Sequence, residues 1–181
     1  MPRQAGNSIT DGARALRDRI LQGLPPFIPE DPRILILGSM PSEASLEAGF
    51  YYAHPQNRFF KIIAALSGMG VATIPGRKAA LASLHIALFD AIGQCRRSGS
   101  LDSAIKDAVP NDIPRLLSEH PTIRVVVTNG ALSRKLVSRQ ELPSSVRIFN
   151  LPSTSPANAA WSLPKLLLLY KEAFDAALPN P

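Results

Sequence analysis

Four short, nearly continuous apolar runs punctuate the chain, at Arg33–Gly38, His85–Asp90, Ile123–Thr128 and Val146–Asn150. Runs this short, without polar alternation, read as strands buried on both faces of a sheet. Helical patterning lies between and after them, roughly over Arg58–Leu66, Lys78–Ser83, Ile113–Ser118, Ala131–Val137 and Ser162–Ala177. The last carries Leu166, Leu167, Tyr170 and Phe174 as its inward stripe. Upstream, Thr10 is placed to cap a first helix with Ala13, Leu16, Ile20 and Leu21 on its apolar face, and Gly23, Pro25, Pro26 and Pro29 end it in a stiff linker. Strands alternating with helices predict an α/β fold, a three-layer αβα sandwich on a mainly parallel four-stranded sheet. No repeat or low-complexity tract interrupts the pattern. One domain is therefore expected over 1–181, with 1–30 as an N-terminal helix and Pro-rich linker.

Composition narrows the partners. Apolar residues are 45% of the chain and charged residues 19%, enough for a real core and too few charges for wholesale disorder. Lys and Arg number 20 against 14 Asp and Glu, a net +6 that favours an acidic partner, nucleic acid foremost. A solvated basic surface accounts for that surplus equally well. The one cysteine, Cys95, excludes an intrachain disulfide and any all-cysteine metal site, and His54, His85 and His120 lack ligand spacing. No metal and no cofactor are expected. Nothing approaches ~18 uninterrupted apolar residues, and the opening lacks an apolar signal region. The expectation is a cytoplasmic monomer with no membrane span.

In open α/β sheets the ligand lies outside the carboxyl ends of the strands. The segments to search are thus Gly38–Asn57, Asp90–Leu101, Asn129–Leu132 and Leu151–Asn158, all rich in small and polar residues. The first reads GSMPSEASLEAGFYYAHPQNRFFKII. It holds no phosphate-binding loop, no dinucleotide fingerprint and no nucleophile elbow. What remains is a small-residue turn, paired Tyr51 and Tyr52, His54-Pro55, and Asn57 at a helix mouth. Such residues suit a pocket that stacks a flat ring and bonds its edges. They serve equally as core tyrosines and helix caps.

GSMPS and YYAHPQNRFF near one end, with LPSTSPANA near the other, resemble the uracil-DNA glycosylase superfamily, most closely its hypoxanthine-DNA glycosylase branch. HIALFDAIGQCRRSGSLDSAIKDAVPND and the Asn-Gly of VVVTNGA extend the likeness from about Ile34 to the last helix. The resemblance implies that Gly38-Ser39-Met40-Pro41-Ser42 is the family's first motif, with Gly38, Ser39 and Met40 against the base and Ser42 among the DNA wedge and phosphate contacts. Mismatch-specific relatives carry Asn at the position of Met40, which cannot orient a water. The hypoxanthine branch is understood to use instead the Asn of its HPxN segment, here Asn57. Tyr52 falls where the superfamily stacks an aromatic on the extruded base. Pro152 to Pro156 matches the second motif, so Ser153, Thr154, Ser155 and Pro156 are implied to push into the duplex and grip phosphates. The superfamily's catalytic His or Asn before that Pro-Ser is Leu151 here, and Thr128 and Phe60 replace bulkier aromatics. Branches holding a four-cysteine iron–sulfur cluster are excluded by the single cysteine.

Two further residues sit at strand ends. Asp90 lies where uracil-specific relatives place a base-reading Asn; a carboxylate accepts hydrogen bonds and so suits an N–H edge such as N1–H of hypoxanthine. A turn-capping role fits it equally. Asn129 either lines the pocket or caps a turn. Arg96, Arg97, Arg134, Lys135 and Arg139 are candidate phosphate contacts as a group, while any single one reads more simply as ordinary surface charge. The expected function is a DNA repair glycosylase, hydrolysing the N-glycosidic bond of a deaminated base in DNA, hypoxanthine first, with uracil or xanthine also in range. No lysine stands in the motifs, which argues against a lyase step. The apolar Met40 and Leu151 motivate an alternative, a nucleic-acid-binding module of the same fold with weak or lost catalysis. An α/β enzyme acting on free nucleosides fits the basic surplus poorly.

Overall fold

The computed structural model describes residues 20–177. Its centre is a parallel sheet of four strands, β2 (Ile34–Gly38), β3 (Ile86–Asp90), β6 (Val125–Asn129) and β7 (Arg147–Leu151), in the order β3-β2-β6-β7. Strand periodicity sorts the apolar runs between two faces. Ile34, Ile36, Ile86, Leu88, Val125 and Val127 pack with α2 (Phe59–Ser67), α3 (Ile74–Ser83) and α6 (Leu163–Asp175). Leu35, Leu37, Ala87 and Val126 pack on the opposite side with α4 (Ile113–Glu119) and α5 (Ala131–Val137). The three-layer αβα sandwich is therefore present, with every residue of β2 and β6 buried.

The helix boundaries follow local chemistry. Helix α3 starts earlier than the apolar pattern suggests, because Thr73 Oγ1 accepts from Gly76 N–H at 3.2 Å and a proline occupies the first turn. A short helix absent from the pattern reading, α1 (Glu43–Ala48), is capped by Ser42 and stopped by Gly49 in the left-handed region.

The larger difference is a second sheet. Strands β1 (Ile20–Gln22), β4 (Ile92–Arg96) and β5 (Lys106–Pro110) form an antiparallel sheet in the order β1-β4-β5. Ile20 and Leu21 thus lie on a strand and not on the expected first helix; the rest of that helix, from Thr10, lies outside the described residues. The linker after β1 runs beside the main sheet, where Phe27 pairs with Leu88 and covers the edge of β3. At Asp90 the chain leaves one sheet for the other. Ala91 N–H donates to Gly38 O at 2.8 Å and Ile92 N–H to Ser39 O at 2.9 Å. That corner fixes Asp90 directly beside the end of β2.

Candidate active site

Strands β2, β3 and β6 end side by side at Gly38, Asp90 and Asn129, and the loop after β7 folds across them. Together they enclose a cavity of about 410 Å³, within the usual size of a small-ligand pocket. It opens where parallel connections leave β2 in opposite directions, the topological switch point of the sheet.

Asp90 lies on the cavity wall with only 4% of its surface exposed. Burial, first, and the Asp102 carboxylate, second, push its acid up to about 7, while the Arg97 guanidinium pulls the other way. Its Oδ2 has no hydrogen-bond partner among the described residues. A β-carbon on Gly38 would run into its Oδ1, so only glycine leaves room for the carboxyl here. Arg97 is itself buried and donates to Pro41 O, so it steadies the first motif from inside and is no surface phosphate contact.

Tyr52 and Asn57 come from the loop between α1 and α2. Tyr52 adopts φ 52°, a left-handed conformation costly for an aromatic residue. That twist lays its ring against Phe59, with centroids 4.1 Å apart, and buries its hydroxyl beside Asn129. Burial and the nearby Asp90 hold that hydroxyl in its neutral form. Tyr51, by contrast, donates to Pro25 O at 2.9 Å and ties the linker down. Asn57 Oδ1 accepts from Phe59 N–H at 2.9 Å, so the side chain caps the start of α2 while lining the cavity. An amide oxygen has two lone pairs, and the cap takes up one. His54 braces the same loop, its Nδ1 accepting from Gln56 N–H at 3.2 Å.

The second-motif loop is held from two directions. Asn129 bonds Thr154 with both ends of its amide: Oδ1 accepts from Thr154 N–H at 2.9 Å, and Nδ2 donates to Thr154 Oγ1 at 3.0 Å. Arg58 binds the loop's carbonyls, donating to Thr154 O at 3.2 Å, Ser155 O at 2.6 Å, Asn158 O at 2.9 Å and Trp161 O. With Ser153 O a fifth acceptor at 3.5 Å, one guanidinium thereby gathers the backbone carbonyls of a segment without regular structure.

The cavity gathers Gly38, Ser39, Met40, Ser42, Tyr52, Asn57, Asp90, Asn129, Ser153, Thr154 and Ser155, whereas Pro156 is exposed beyond its lining. Thr154 has no exposed surface, so it anchors its loop from within and offers nothing to a phosphate. Ser42 spends its hydroxyl on Ser45 N–H, at 3.2 Å, as the cap of α1. Met40 is buried against Ile92 and Cys95. Sequence reasoning missed Arg58 as an organiser, because its partners lie about a hundred residues downstream and leave no local mark. The turn joining β4 to β5 adds a wall of Ser100, Leu101, Asp102 and Ser103; the first two close the searched Asp90–Leu101 segment, and Asp102 and Ser103 lie just past it and were missed. Ser39 Oγ donates to Asp102 Oδ1 at 2.6 Å and joins that wall to the first motif.

A four-stranded parallel sheet between helices, with small-residue loops closing a base-sized cavity at its carboxyl edge, defines the uracil-DNA glycosylase class of α/β proteins. The model of the uracil DNA glycosylase superfamily matches residues 25–178, and the chain belongs to that family. A hypoxanthine DNA glycosylase of Methanosarcina barkeri is 36% identical over 114 residues, covering 62% of this chain and 72% of the relative. A protein of the same description from Methanosarcina acetivorans is 33% identical over 147 residues, covering 79% of this chain and 91% of the relative. Among solved structures, a solution NMR structure of a candidate uracil DNA glycosylase from Methanosarcina acetivorans superimposes with TM-score 0.73. It is 28% identical, and the match spans 88% of this chain and 99% of that one.

Proposed function

We propose that this protein is a monofunctional DNA glycosylase that extrudes a deaminated base from DNA and hydrolyses its N-glycosidic bond, with hypoxanthine as the preferred base. The observation that carries the reading is Asp90, a buried carboxyl with one unpartnered oxygen, set in the same cavity as Tyr52 and Asn57. The names of the two relatives support the choice of hypoxanthine.

An extruded hypoxanthine stacked on Tyr52 would present N1–H to Asp90, which accepts in either protonation state. Adenine presents an N1 lone pair instead, which the ionised carboxylate repels and the protonated acid can meet, so discrimination against adenine should sharpen as pH rises past about 7. Uracil and xanthine also carry a ring N–H beside a carbonyl, so they remain weaker candidates. Gly38 and Ser39 bring backbone close to the base, and Asn129 keeps the Ser153–Ser155 loop at the rim. As the glycosidic bond breaks, the sugar gains oxocarbenium character and the base takes up the bonding electron pair. Water then adds to C1′ and its proton is passed on, to the departing base or to solvent. Asn57, with its remaining lone pair, orients that water, and the helix cap keeps the amide from turning.

The test is incubation with matched duplexes carrying one deoxyinosine, deoxyuridine or deoxyxanthosine, followed by alkaline scission. Alkali-labile sites at deoxyinosine, formed fastest of the three, are the expected result. Binding without any labile site would favour the non-catalytic module suggested by Met40 and Leu151. Strand breaks without alkali would contradict the monofunctional assignment.

A further inference from the structure

The second-motif loop is well anchored but small. Thr154 is buried, and the side chains it leaves at the surface are Ser155, Pro156 and Ala157. On the other rim of the cavity stands Leu101, 59% exposed although it also lines the pocket. Its neighbours are pinned. Ser100 Oγ accepts from Glu43 N–H at 3.0 Å, Asp102 accepts from Ser39, and Ala104 N–H donates to Leu101 O at 3.1 Å. A leucine held out of water's reach would add to the core; this one is fixed where it cannot join it. Pulling a nucleotide out of a duplex leaves a gap in the stack, and proteins that unstack bases fill such gaps with apolar side chains, leucine among them.

We infer that Leu101 is the apolar plug that enters the base stack of duplex DNA at the gap left by the extruded nucleotide, facing the Ser153–Pro156 loop across the cavity. The inference rests on the glycosylase reading above and adds the element that the second motif lacks. Polar atoms of the turn are committed to the first motif, so the leucine is presented on a firm base. The extruded base passes between this turn and the second-motif loop.

Leu101→Ala, Leu101→Met and Leu101→Asn would be compared with wild type on a matched duplex, with 2-aminopurine beside the deoxyinosine. Release of hypoxanthine in a single turnover should fall about tenfold for Ala and Asn and stay within about twofold for Met, the scale for losing a buried leucine contact. Wild type and Leu101→Met should brighten 2-aminopurine on binding, and the Ala and Asn variants should leave it quenched. An exposed side chain makes unchanged thermal unfolding the control for folding. Full activity of Leu101→Ala, full activity of Leu101→Asn, or bright 2-aminopurine with either would overturn the plug. Should wild type itself neither brighten the probe nor release the base, the glycosylase reading falls and the plug with it.

Discussion

Gly38 and Asp90 end neighbouring parallel strands in register, and the carboxyl of one occupies the space a side chain on the other would need. The glycine is thus required by contact and not by an unusual backbone angle. Gly38→Ala should turn the Asp90 carboxyl away from its place in the cavity. Release of hypoxanthine should fall by at least about tenfold, the cost of misplacing one polar contact. Circular dichroism should stay near wild type. Unaltered release would show that the carboxyl's position is irrelevant to the base.

Asp90 also leaves a mark on stability. Its acid rises from the ordinary 3.8 to about 7 in the folded protein, so the native state holds its proton more tightly than the unfolded chain. Stability therefore falls as pH climbs from about 4 to 7 and is level above that. Asp90→Asn removes the titration while keeping the shape. The variant should melt higher than wild type at pH 8, with the gap narrowing by pH 5. A gap independent of pH would mean that the carboxyl is not shifted. On activity, Asp90→Leu should cost about 10² in release, the size of one preorganised polar contact, and Asp90→Asn much less, since its amide still accepts from N1–H.

Asn57 carries two duties that can be pulled apart. Asn57→Ala loses the cap on α2, about 1 kcal/mol, and the water contact, about 10²–10³ in single-turnover release. Asn57→Asp keeps an acceptor for Phe59 N–H and should restore melting temperature with partial activity. Wild-type rates from a folded Asn57→Ala would remove the water-orienting role.

Arg58→Lys offers three donors to five carbonyls and no planar fork. Hydrogen exchange over residues 153–161 should speed up, and affinity for a deoxyinosine duplex should drop. Exchange elsewhere in the parallel sheet should hardly change. If the loop stays as protected as in wild type, the guanidinium does not hold it.

The parallel core was legible in the sequence at β2, β3 and β6, whose buried strands keep their polar residues at the carboxyl ends. Strand β7, expected to be buried on both faces, is instead an edge strand exposed along most of its length. The antiparallel sheet was not legible. Lys106–Pro110 is exposed throughout, so no apolar run betrays it, and Ile20 with Leu21 happens to fit helical spacing. Tyr52, Asp90, Asn129 and the two motif turns were found because they follow the strand ends where such folds place ligands. Their finer duties were hidden. Nothing local tells that Asn129 bonds Thr154 with both ends of its amide, or that Arg97 is buried, because those facts depend on distant chain.

The grip of Arg58 on carbonyls 95 to 103 residues downstream makes the rim of the cavity depend on chain far along the sequence. Such distant contacts form only after the intervening chain has closed into a loop, and their entropy cost delays them. A chain still emerging from the ribosome carries Asn57 and Asp90 early, but the loop that faces them takes shape only once β7 has docked. A closed rim therefore needs chain through Trp161, and the strands that carry Asp90 and Asn129 form only its floor.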